Sequence, residues 1–71
     1  MARAECKALG RVIRKFRIQR GMTQAILADH AELSRESISA IENGRFDPTF
    51  STLLRISKAL DLKMEQLLKS F

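Results

Sequence analysis

Apolar residues recur along this chain at helical spacing and nowhere sustain the two-residue alternation of a strand. Leu9, Ile13 and Phe16 share one stripe with Val12 at its edge, which predicts a helix over about 5–20. Gly21 suits its stop, because glycine takes a positive φ without a Cβ penalty, and Arg17 and Arg20 suit the negative end of its dipole. Thr23 reads as the N-cap of a second helix over 24–31, with Leu27, Ala28 and Ala31 turned inward. After a short turn at Glu32 and Leu33, Ser34 caps a third helix over 35–43, which buries Ile38 and Ile41 and stops at Gly44. A loop through Pro48 leads to Thr49, the cap of a fourth helix over 50–60 expected to bury Phe50, Leu53, Leu54 and Ala59 or positions near them. Asp61 breaks that helix, since Asp tolerates the left-handed region better than most residues. A fifth helix over 63–70 presents Met64, Leu67 and Leu68, with Phe71 beyond it. The expected fold class is all-α, a five-helix single domain over residues 1–71.

Within this series the second and third helices form a distinct unit. Two short helices joined by a tight turn, the second opened by Ser34, follow the plan of a helix-turn-helix. Ala28 is small where the two helices must cross, and Leu27, Ala31, Leu33, Ile38 and Ile41 supply the apolar interface that sets the crossing angle. Arg35, Glu36, Ser39 and Ala40 are left outward on the third helix, with Ser37 toward its flank. Such side chains can address base edges: Arg binds guanine bidentately, Glu accepts from cytosine, and Ala touches a thymine methyl.

Several short motifs carry a family resemblance. Gly-Met-Thr-Gln at 21–24, Leu-Ala at 27–28, Leu-Ser at 33–34, Ile-Ser-Ala-Ile-Glu-Asn-Gly at 38–44, Pro48 and Ala-Leu-Asp-Leu at 59–62 occur in order and register. Together they resemble the Cro/phage-repressor type of helix-turn-helix domain, the xenobiotic-response-element-like family, from about Leu9 to Leu68. The resemblance implies a repressor-like, sequence-specific transcriptional regulator of double-stranded DNA that works as a homodimer on a two-fold symmetric operator. It implies that Arg35, Glu36, Ser39 and Ala40 read bases, while Thr23, Gln24, Ser34, Ser37, Asn43 and Arg45 meet the sugar-phosphate backbone. It also implies a buried salt bridge between Arg17 and Glu42. Three positions depart from the pattern: Glu32 stands where Gly is common, Lys63 where a Ser or Thr cap opens the last helix, and exposed Ile26 where Glu is usual.

Charge sharpens this picture. The net charge is +5, yet residues 1–20 hold seven cations (Arg3, Lys7, Arg11, Arg14, Lys15, Arg17 and Arg20) against Glu5 alone. The remainder carries six basic and seven acidic groups, so the excess lies on one segment. A basic segment beside a near-neutral body suits a polyanion on one side of the fold, and equally a solvated helix face.

Other chemistry is sparse. One cysteine, Cys6, precludes an internal disulfide, and it joins a single histidine, His30, too few for a metal site on their own. No catalytic Ser/His/Asp order, carboxylate pair or glycine-rich phosphate loop is visible, so neither an enzyme nor a cofactor is expected. No apolar run reaches the roughly 18 residues of a membrane span, and the N-terminus lacks an apolar signal core, so no membrane association and a cytoplasmic site are expected. Leu67, Leu68 and Phe71 cannot all be buried in so small a fold; a dimer seam that also takes Met64 is their expected use, with truncation from a longer protein the competing reading. Compact chains of this kind also serve as restriction–modification controllers and as antitoxins, which would neutralise a toxin through exposed Ile26 or the C-terminal apolar face.

Overall fold

The computed structural model describes residues 3–70, which form five helices in chain order: α1 (Ala4–Gln19), α2 (Gln24–Ala31), α3 (Arg35–Glu42), α4 (Phe50–Ala59) and α5 (Met64–Lys69). Each lies within a residue or so of its expected span at both ends. Helices α2, α3 and α4 open as their sequences require. The hydroxyls of Thr23, Ser34 and Thr49 accept from the backbone N–H groups of Ile26, Ser37 and Thr52 at 3.1, 3.1 and 3.2 Å. Each bond satisfies one donor that the first helical turn leaves without a partner. Lys63 offers no oxygen to cap α5. Instead the Gln66 side-chain carbonyl reaches back to accept from the Lys63 N–H at 2.8 Å, so that helix opens on half of a capping box.

Four of the five helices close by one device. Gly21, Glu32, Gly44 and Asp61 have φ of 70, 57, 73 and 56°, and the next residue in each case bonds back five positions. Those bonds run from Met22 to Arg17, Leu33 to Ala28, Arg45 to Ala40 and Leu62 to Ser57, at 2.8–3.1 Å. This is the Schellman arrangement, in which a left-handed residue lets the chain turn back over the last carbonyls. Leu62 is buried and Met22 and Leu33 half-buried, so three of the four turns also seat an apolar residue on the core.

The core lies where α1 and α2 pack against α3, α2 against α4 and α4 against α5. Ile13, Leu27, Ile38, Ile56, Leu60 and Leu67 are fully enclosed there. Burial of each such side chain contributes about 1.5–3 kcal/mol. Gly10 permits a close approach of two helices. A Cβ at that position would lie 2.5 Å from the Glu42 carbonyl oxygen and closer still to that of Ile41, so α1 presses directly on the end of α3.

Three expectations need correction. Phe50 is 69 % exposed, because it is the first residue of α4 and helical side chains lean toward the N-terminus, which carries its ring past the core. Ile56 and Ser57 are buried on that helix and Leu60 just after its end, while Leu53, Leu54 and Ala59 are half-buried. Leu67, expected at a dimer seam, is wholly enclosed within its own chain and cannot reach a partner. Arg20 does not serve the end of α1: its Nε donates to the carbonyl of Leu60 at 2.8 Å and so ties α1 to the end of α4.

Candidate nucleic-acid interface

The outward face of α3 begins immediately after its cap. Arg35 and Glu36 are exposed and Ser39 and Ala40 half-exposed, while Ile38 and Ile41 on the opposite face are sealed in the core. The apolar side thus fixes the helix, and the polar side is free to meet a surface. Ser34 accepts the Ser37 N–H and donates to the Ser37 hydroxyl oxygen at 2.9 Å, which leaves the Ser37 O–H as the outward donor. At the other end of α3, Asn43 and Arg45 are exposed on either side of Gly44.

Beside α3 lies a buried polar network. Arg17 meets Glu42 with Nε to Oε2 at 2.6 Å and Nη2 to Oε1 at 3.1 Å, and its Nη1 donates to the Met22 carbonyl at 2.8 Å. Gln24, expected on the backbone of DNA, donates its amide to Glu42 Oε1 at 3.1 Å. Its side chain is therefore held at the N-terminus of α2, beside Thr23 and the unpaired amides of that first turn. Among the described residues no buried side-chain polar atom lacks a partner, so the network is saturated.

Three cations on α1 complete this face. Lys7, Arg11 and Arg14 line an open cleft of about 510 Å³ together with Gln24, Glu42 and Asn43. Sequence reasoning places these three only in a basic segment, although their i, i+4, i+7 spacing already puts them on one side of a helix. It likewise gives Gly10 no role, since a glycine within a helical pattern does not disclose what approaches it.

The remaining expected residues do not line this cleft. Met64 is half-buried against the core and Leu68 is 54 % exposed, while Phe71 lies outside the described residues. His30 is exposed, Ile26 is exposed, and Cys6 is buried near the start of α1. Among the described residues there is no cluster of potential metal ligands, and no helix is long and apolar enough to cross a membrane.

A recognition-type helix crossed by a second short helix, with caps and stops in this order, defines a helix-turn-helix domain of repressor-like architecture. The chain belongs to the helix-turn-helix family, whose model matches residues 13–67. It is 37 % identical over 57 residues to the uncharacterized HTH-type transcriptional regulator YqaE of Bacillus subtilis, covering 80 % of this chain and 49 % of that protein. It is 38 % identical over 56 residues to the immunity repressor protein of Bacillus phage phi105, covering 79 % of this chain and 39 % of the repressor. The chain thus spans half or less of the length of these two relatives. The crystal structure of the restriction–modification controller protein C.AhdI from Aeromonas hydrophila superimposes with a TM-score of 0.89 at 26 % identity, covering 92 % of this chain and 98 % of that one.

Proposed function

We propose that this chain is a sequence-specific regulator of transcription that lays α3 in the major groove of double-stranded DNA. The observation that carries the reading is the two-sidedness of α3. Arg35 stands free at its start while Ile38 and Ile41 are anchored beneath it. Arg35, Glu36, Ser39 and Ala40 then read bases. Thr23, Gln24, Ser34, Ser37, Asn43 and Arg45 hold the backbone, which fixes the register of reading without itself choosing a sequence. The working form is a homodimer on a two-fold symmetric operator in the cytoplasm, with half-sites about 34 Å apart and Leu68 and Met64 on the seam.

The test is a mobility-shift titration on an operator selected from random duplexes and on a scrambled duplex. Arg35→Ala is expected to lose about 1–3 kcal/mol on the operator and far less on the scrambled DNA, as the removal of a bidentate base contact requires. Equal losses on both would end that role for Arg35. A restriction–modification controller is the more particular reading, and it is supported by the agreement in fold with C.AhdI.

A further inference from the structure

We propose that Lys7, Arg11 and Arg14 of α1 form a second phosphate-binding element, which grips the DNA backbone outside the segment that α3 reads. The proposal rests on the DNA-binding reading above and extends its contact surface to a helix outside the helix-turn-helix.

The other arginines of α1 and of its two ends already have partners in the fold. Arg3 pairs with Asp47, Arg17 with Glu42, and Arg20 with the Leu60 carbonyl. Among the described residues, Lys7, Arg11 and Arg14 have no carboxylate partner, and all three are exposed. They share one cleft, whose lining holds a single acid among the described residues, Glu42. Both Glu42 oxygens are engaged by Arg17, one of them also by Gln24, and the carboxylate side chain is 3 % exposed. The cleft therefore presents uncompensated positive charge to solvent.

Its position favours a DNA backbone over any other polyanion. The far wall is Gln24 and Asn43, both already assigned to phosphates, so one strand running past them continues onto α1. Gly44 draws the two elements together: a Cβ there would meet the Lys7 Cγ at 2.6 Å, so only glycine lets Lys7 lie against the loop that carries Asn43 and Arg45. From Lys7 to Arg14 the helix rises ~10 Å. That length reaches beyond a single phosphate, so the three cations can meet neighbouring phosphates of one strand. A lipid surface does not fit, because an interfacial helix must insert its apolar face and that of α1 (Leu9, Val12, Ile13) is buried in the core.

Each neutralised phosphate steepens the fall of log K with log salt by about 0.9. The Lys7→Gln, Arg11→Gln, Arg14→Gln triple variant is therefore expected to flatten that slope by ~2–3 per bound protomer, and to weaken operator and scrambled duplex by the same factor. Lys58→Gln, Lys63→Gln, Lys69→Gln, which removes equal charge from outside the cleft, is expected to change the slope by less than about one. Circular dichroism confirms that each variant is folded. If the triple variant fails to fold, the three single substitutions are titrated instead, with about 0.9 lost from each. An unchanged slope, a loss confined to the operator, or an equal effect of the control variant overturns the proposal and leaves the reading of α3 intact. Failure of the unaltered protein to bind either duplex removes both.

Discussion

Arg17 and Glu42 form a two-pronged contact, at 2.6 and 3.1 Å, that joins the end of α1 to the end of α3 with side chains only 11 and 3 % exposed. Removing one partner strands a charge where water cannot reach it. Glu42→Ala is expected to cost about 3–5 kcal/mol, a large part of the stability of so small a domain. Replacing both, as Arg17→Met with Glu42→Leu, is expected to fold nearly as well as the parent. DNA affinity should fall nonetheless, since Gln24 loses the carboxylate that aims it. Urea denaturation and duplex titration separate the two effects. Equal destabilisation by the single and double changes would contradict this account.

Gly10 supplies a sharper test of packing. In an open helix, Gly→Ala stabilises by about 0.5–1 kcal/mol. Here the added methyl meets the carbonyls of Ile41 and Glu42, so Gly10→Ala is expected to destabilise by roughly 1–3 kcal/mol. Thermal unfolding should move down by at least about 4 °C. A rise would mean that α1 does not press on α3.

Glu32 and Asp61 close their helices in the left-handed region without being glycine. That conformation carries about 1–2 kcal/mol of strain, which glycine would relieve, less the part lost to its greater freedom when unfolded. Glu32→Gly is expected to raise the melting midpoint by a few degrees with DNA binding unchanged. A fall in the midpoint would refute it.

Adjacent leucines in α5 should behave oppositely. Leu67 is enclosed, so Leu67→Ala is expected to cost about 2–5 kcal/mol. Leu68 is 54 % exposed, and Leu68→Glu is expected to leave the fold intact while shifting sedimentation equilibrium toward monomer. An unchanged mass at all concentrations would remove Leu68 from the seam.

Most helix ends were legible because they depend on neighbours in sequence. Thr23, Ser34 and Thr49 act within three residues of themselves, and Gly21 and Gly44 within five. Helical spacing likewise revealed the inward face of α3. What escaped depends on distant partners. Arg20 finds a carbonyl 40 positions away, and nothing near it in sequence favours Leu60 over its own helix end. Gly10 is explained only by the end of α3. Phe50 has the spacing of a core residue, yet it lies one turn beyond the core that would have covered it. Leu67 and Leu68 look alike until the angle of α5 is known. The candidate interface divides the same way: the α3 residues follow from pattern, whereas the alliance of Lys7, Arg11 and Arg14 with Gln24 and Asn43 needs three dimensions.

The brevity of α2 and α3, eight residues each, has a practical corollary. Isolated helices shorter than about 12–15 residues are marginal in water. A synthetic fragment spanning 24–43 would therefore be mostly coil, however well its side chains suit a groove. On the proposed reading of α3, its preferences cannot be carried off on a peptide, and new ones have to be written on its outer face inside the whole scaffold.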